Sequence, residues 1–266
     1  MTEPGEIFAS TAPYYARYRQ PYDRRAFAAI ATAFGLGADS TVLDLGTGTG
    51  HVALGLAPLV GRVVAVDPSA DMLAVARAAD GPANVTWRLG DSTRLAELGL
   101  ERLDAVTMGR SFHWMDRPAV LADLDRLVVP HGGIALLRTL ERRTPGDPAT
   151  AAWIDVVREV VARYGLAPDH VTRRTDEHVE VLRASPFSRV EVLTFDGGDV
   201  TLTLDEVVCG QFSYSYTSPA RLGERRDAFE ADLRAALLAH DPAGRYRLGP
   251  VTTEVALAIR PRAVQP

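Results

Sequence analysis

Apolar residues recur along this chain in two rhythms. Short continuous runs read as buried strands: Val42-Leu43-Asp44-Leu45, Arg62-Val63-Val64-Ala65-Val66-Asp67, Asn84-Val85-Thr86-Trp87-Arg88-Leu89, Leu103-Asp104-Ala105-Val106-Thr107-Met108 and Ile134-Ala135-Leu136-Leu137-Arg138. Between them stand stripes at helical spacing. Phe27, Ile30, Ala31 and Phe34 form one, with Asp23 as its cap and Gly35 and Gly37 as its stop. A second helix starts at Pro68-Ser69 and runs to Arg77. A third opens at Pro118, carries Val120, Leu121, Leu124, Leu127 and Val128, and is ended by Pro130 and Gly132-Gly133. Repeated strand–helix alternation predicts an α/β protein built on a parallel, doubly wound sheet.

Beyond Thr139 the alternation stops. Trp153, Val157, Val160, Val161 and Tyr164 make a helical stripe, read as core. Residues 190–195 and 251–259 are β-rich, and Phe229, Leu233, Ala236 and Leu237 mark a long helix. The expected organisation is an aromatic segment with a lid helix (1–36), a ligand-binding core (37–140), a helical cap insertion (141–186), and edge strands with a second cap helix (187–266).

Chemistry concentrates where the first strand meets Gly46-Thr47-Gly48-Thr49-Gly50-His51. Glycine tolerates positive φ and, lacking Cβ, lets a ligand approach the backbone; the following helix offers N–H groups at its start. A dinucleotide fingerprint would place its third glycine at His51, whereas here the glycines alternate and Asp44 lies two residues before the first. Asp67, at the end of the second strand, stands where such sites bind ribose hydroxyls.

Asp-x-Gly-x-Gly-x-Gly resembles the first motif of the class I S-adenosylmethionine-dependent methyltransferases. That family implies a Rossmann-like sheet, mostly parallel with an antiparallel final strand, and S-adenosyl-L-methionine as cofactor. This ligand has no phosphate and presents an amino-acid tail and a sulfonium, which suits a carboxylate such as Asp44 at the loop beside Gly46, Thr47 and Gly48. The resemblance implies that Met72 packs on the adenine and that Asp91 accepts from its exocyclic amine, while the Ser92 backbone N–H suits a ring nitrogen; Asp91 as a plain helix cap stays open. Tyr14-Tyr15-Ala16-Arg17-Tyr18-Arg19, with Tyr22, looks like the Tyr-x-x-Tyr-Arg-x-x-Tyr lead-in of the branch containing trans-aconitate methyltransferase-like and methyltransferase type 11 proteins. It implies Tyr15 and Arg19 over the methionine end.

Gly109-Arg110-Ser111-Phe112-His113-Trp114-Met115-Asp116 resembles the His-Trp-(Phe)-Asp segment of the same branch. Arg110, where relatives carry a small or amide residue, is read either as reaching a carboxylate of the cofactor or the acceptor or as only salt-bridging outward. His113 is either a base beside the methyl acceptor or a ring anchoring the loop. Tyr22, Phe112, Trp114, Arg138 and Tyr214, the last within Phe212-Ser213-Tyr214-Ser215-Tyr216, are the expected acceptor contacts.

Composition narrows the partners. With 47% apolar residues a substantial core is available. A formal charge of −5 without a sustained basic block argues against nucleic acid, and the pairs Arg24-Arg25, Arg142-Arg143 and Arg173-Arg174 read as solvated surface. A nucleic-acid methyltransferase would carry Asn/Asp-Pro-Pro-aromatic where this chain has Gly109-Arg110-Ser111-Phe112. One cysteine, Cys209, rules out an internal disulfide or a multi-cysteine metal site. The polar Met1-Thr2-Glu3-Pro4-Gly5-Glu6 and the lack of a membrane-length apolar run point to a cytoplasmic protein. The expected function is methyl transfer from S-adenosylmethionine to a small, hydrophobic or planar molecule, with the transfer atom and the oligomeric state open. A non-catalytic binding protein and a nucleotide-dependent oxidoreductase are the rivals.

Overall fold

The computed structural model describes residues 4–79, 81–100, 102–141, 148–166 and 175–261. Residues 1–3 and the pairs Arg142-Arg143 and Arg173-Arg174 lie outside them. Seven strands form one sheet in the order β3-β2-β1-β4-β5-β7-β6. They are β1 (Thr41–Leu45), β2 (Arg62–Asp67), β3 (Val85–Leu89), β4 (Leu103–Gly109), β5 (Val128–Glu141), β6 (Arg189–Thr203) and β7 (Arg245–Ile259). Registers from β3 through β5 are parallel, and the sheet as a whole is mostly parallel with an antiparallel strand, as the family resemblance implied.

The chain divides into two compact units. The first gathers Met1–Pro21, Thr139–His170 and Asp196–Thr252; the second gathers Tyr22–Arg138, Val171–Phe195 and Thr253–Pro266. In the second unit the strands are buried on both faces. Leu43, Leu45, Val64, Val66, Val106 and Met108 point to one apolar layer, and Val42, Val63, Ala65 and Ala105 to the other. Period-two alternation divides each strand this way. The helix Arg24–Phe34 closes the second layer with Phe27, Ile30 and Phe34. It starts on the Asp23 carboxylate, which accepts from Arg25 N, and ends at Gly35 in the left-handed conformation, both as expected.

Two boundaries differ from the sequence reading. Residues 128–133, expected as the last helical position and the stop of the helix opened at Pro118, already belong to β5: Leu103 pairs with Val128 and Ala105 with Gly133, so residues 129–132 bulge from the ladder. A Cβ on Gly132 would lie 2.4 Å from the Asp104 carbonyl oxygen, and one on Gly133 would lie 2.4 Å from the Phe34 ring. The glycine pair therefore permits close passage rather than ending a helix. The two β-rich segments extend to Thr203 and back to Arg245, because Val200, Leu202, Tyr246 and Leu248 pack into the core of the first unit.

That core also takes Trp153, Val157, Val160 and Val161 from the helix Pro148–Arg163, and Phe229, Leu233 and Leu237 from the helix Arg226–His240. Both stripes are therefore core. No helix among the described residues is long and apolar enough to cross a membrane.

Candidate active site

In the strand order the chain goes outward from β1 to β2 and β3, then returns to β4 on the other side. Such a switch point leaves a crevice at the carboxyl ends of β1 and β4. Two loops rise there, residues 46–50 and 110–116, tied together by Ser111 Oγ donating to the Leu45 carbonyl at 2.7 Å.

Gly46, Gly48 and Gly50 all have positive φ, at 71°, 56° and 87°. Gly46 N and Thr47 N donate to the Val66 carbonyl, and Gly50 N closes the turn on the Thr47 carbonyl. The three glycines differ in what surrounds them. A Cβ on Gly46 would stand 2.4 Å from Ser111 Cβ, and one on Gly50 would stand 2.5 Å from the Trp87 ring. Beside Gly48 nothing lies within 4 Å. Gly48 thus presents bare backbone to open space, which is the surface a ligand can use.

The two acids of this region have different tasks. Asp67 accepts from Gly48 N at 2.7 Å through Oδ2 and from Ser69 N at 2.9 Å through Oδ1, so it fixes the loop and the start of the helix Ala70–Ala78 together. Burial raises its carboxyl above the usual range, opposed by those two backbone N–H groups. Asp44 was expected to face the ammonium or sulfonium of a ligand. Instead it is fully buried, Oδ2 accepting from Thr47 Oγ1 at 2.5 Å and Oδ1 from Thr107 Oγ1 at 2.9 Å. It braces the loop from beneath. Thr107 was missed by sequence reasoning; its signal is a hydroxyl inside an apolar run, and the β1–β4 register sets it opposite Asp44.

Burial pushes the Asp44 carboxyl up to about 6. Between pH 4 and 6 the folded protein therefore holds a proton here that the unfolded chain has released, so this group's contribution to stability falls as pH rises through that window. The full effect is about 3 kcal/mol. Asp44→Asn cannot titrate. In thermal melts from pH 4 to 7 the wild type is expected to lose ground to the variant as pH rises, and a pH-independent difference would refute the assignment.

Asp91, expected to accept from the adenine amine, caps the 3-10 helix Ser92–Leu98, with Oδ1 accepting from both Thr93 N and Thr93 Oγ1. Those bonds hold its carboxyl below the usual range. The cap left open by the sequence is therefore real, and it uses Oδ1 alone. Ser92 is the first residue of that helix, and Met72 is buried one turn into the helix after Asp67.

The loop after β4 carries Arg110, the one non-glycine residue among those described with positive φ, at 56°. Left-handed backbone in a side-chain-bearing residue costs about 1–3 kcal/mol and persists where surrounding contacts enforce it. Here Arg110 N donates to the Leu137 carbonyl, and the guanidinium lies 4.9 Å from the Tyr22 ring centroid. Three expected acceptor contacts need correction. Tyr22 is buried edge-on against Phe27 and beneath Arg110. Phe112, 3% exposed, is core and anchors the loop. Arg138 is ion-paired to Glu254 at 2.8 Å, so its charge is already met. His113 is half-buried, its ring 5.2 Å from that of Trp114, which is 48% exposed.

Tyr15, Arg19 and Tyr214 belong to the first unit. The Arg19 guanidinium lies 3.8 Å from the Tyr214 centroid and 5.2 Å from that of Tyr15, and Nη2 donates to the Ser213 carbonyl. The structure brings these three together as a cation–π stack. The described residues contain no cluster suited to a metal ion.

A family model described as a methyltransferase domain matches residues 42–132. The uncharacterized methyltransferase Rv3342 of Mycobacterium tuberculosis is 30% identical over 217 residues, covering 81% of this chain and 80% of that protein. Among solved structures, a candidate type II methyltransferase from Anaeromyxobacter dehalogenans superposes with a TM-score of 0.61 at 23% identity, over 91% of this chain and 98% of the other. A methyltransferase from Thiobacillus denitrificans, in complex with S-adenosyl-L-homocysteine, has a TM-score of 0.51 at 16% identity, over 98% of this chain and all of the other.

Proposed function

This chain belongs to the class I S-adenosylmethionine-dependent methyltransferases, and from that premise we propose that it methylates a small, hydrophobic or planar molecule in the crevice after β1 and β4. The observation carrying this reading is the pairing of Gly48 with Asp67: bare backbone facing open space, next to a desolvated carboxylate at the end of β2. Both fit the cofactor, a sugar with two hydroxyls and a tail that needs close backbone approach. Bound there, S-adenosylmethionine supplies a methyl group already strongly electrophilic on its sulfonium. The chain's own work is then alignment and exclusion of water.

Asp67 accepts from the ribose hydroxyls, the second Asp91 oxygen from the adenine amine, and the Ser92 backbone N–H donates to the ring. Arg110 meets the carboxylate of the amino-acid tail, which accounts for its enforced backbone. His113, with Trp114 beside it, takes the proton that an O–H, N–H or activated C–H acceptor loses. An exposed indole next to a half-buried imidazole suits a planar partner.

The test supplies methyl-labelled cofactor with fractionated cell extract. Label is expected in the low-molecular-weight fraction, and label entering RNA or protein instead overturns the proposed acceptor class. Arg110→Met is expected to weaken S-adenosylhomocysteine binding at least about tenfold, the size of a lost charge-assisted hydrogen bond. Binding of 5′-methylthioadenosine, which has no amino-acid tail, stays unchanged. Equal losses for both ligands in calorimetry would remove Arg110 from the tail.

A further inference from the structure

The helix Thr175–Arg183 carries a second histidine to the His113 loop. Its inner face is core: Val179 and Leu182 are buried in the same cluster as Phe112. From that anchored helix the His178 ring meets two consecutive loop residues, with centroids 5.4 Å from Phe112 and 6.5 Å from His113. The His113 and His178 planes are only 28° apart. Arg117 Nη1 lies 3.5 Å from His178 Nδ1. A guanidinium only donates, so this contact requires an unprotonated Nδ1 and leaves the ring proton on Nε2. The nearby cation also opposes a second proton on that ring.

We propose that His178 is a positioning residue for His113: a neutral imidazole, held in one tautomer by Arg117, that backs the His113 ring and favours its protonated form. The inference rests on His113 being the proton acceptor in the reading above. A base is more effective when the cation it becomes is stabilised, and a neutral aromatic face stabilises a stacked cation. The Trp114 ring lies 5.2 Å from that of His113 and tilted by 42°, and the His178 ring lies 6.5 Å from it at 28°. Were His178 itself charged, the stack would repel the proton instead; Arg117 prevents that.

The other charged side chains on these elements are Arg110 and Asp116 on the loop, and Asp176, Glu177, Glu180 and the exposed Arg183 on the helix of His178. Asp116 accepts from Ala119 N as a helix cap, while Glu177 and Glu180 are exposed. His178 is brought to the site on a helix whose Val179 and Leu182 pack into the core.

NMR titration of the imidazoles in the purified, acceptor-free protein tests this. His178→Ala is expected to lower the His113 titration midpoint by about 0.4 unit, a two- to threefold loss of proton affinity. His178→Phe keeps an aromatic face and retains the wild-type midpoint. Arg117→Met lets His178 take a proton and lowers the His113 midpoint, and adding His178→Phe to Arg117→Met restores it. The proposal is overturned if His113 titrates identically in wild type and His178→Ala, or if the restoration fails. Should His178→Ala not fold, the Arg117→Met pair carries the same test. Binding of S-adenosylhomocysteine to the wild type is measured alongside: its absence defeats the cofactor reading, whereas binding with unmoved midpoints defeats only the role of His178.

Discussion

Asp67→Ala is expected to weaken S-adenosylhomocysteine binding by about two orders of magnitude while the protein stays folded. Two ribose hydroxyls donating to one carboxylate are charge-assisted bonds worth about 1.5–3 kcal/mol each, and losing the pair outweighs any single apolar contact with the ligand. The fold survives because burial already penalises this carboxylate. Removing the charge relieves that penalty, and the cost is two backbone N–H groups, Gly48 and Ser69, at the rim of a crevice where water replaces the lost acceptor. Asp67→Asn should fall between the two, since an amide oxygen serves one donor and its NH2 opposes the other. Calorimetry with S-adenosylhomocysteine decides the matter; a dissociation constant within a factor of two of wild type in the alanine variant would remove Asp67 from the ribose.

Replacing Gly46 and Gly48 by alanine, one at a time, is expected to damage different properties. At Gly46 the new methyl would occupy the space of Ser111 Cβ, 2.4 Å away. Ser111 cannot retreat easily, because its hydroxyl is bonded to the Leu45 carbonyl. Overpacking of this kind costs about 1–3 kcal/mol, and the left-handed backbone adds about 1 kcal/mol more. A melting temperature lower by about 10 °C follows. Adding Ser111→Gly should recover the steric part and leave the backbone part. At Gly48 only the backbone term applies, about 2–4 °C, because no protein atom lies within 4 Å of the added methyl. That methyl stands instead where the cofactor approaches, so affinity for S-adenosylhomocysteine should drop at least about tenfold. Equal destabilisation by the two substitutions, or full affinity in Gly48→Ala, would show that the open side of the loop is not the cofactor's.

The glycine loop, the strand ends and the acids were legible in the sequence because each is a local signal: a period, a φ requirement, a cap. The fate of individual polar side chains was not. Asp44 and Arg138 both looked available for a ligand, yet each is matched by a partner far along the chain, Thr107 and Glu254. Tyr22 and Phe112 looked like acceptor walls and are buried packing instead. An aromatic residue near a motif has the same signature whether it faces a ligand or the core, because both environments are apolar.

By itself, then, the sequence determined the alternation of strands and helices, the two-layered core, and the glycine turn after the first strand, since these follow from side-chain periodicity and backbone sterics within a few residues. Tertiary structure alone decided which acid stays at the crevice and which is sealed under it, that residues 129–132 bulge, and that His178 arrives beside His113. Those outcomes depend on registers and helix packing between segments that are distant in sequence, such as Leu103 with Val128, Asp44 with Thr107 and Arg117 with His178. No local pattern encodes them, because the free energy that selects them arises only once the segments meet.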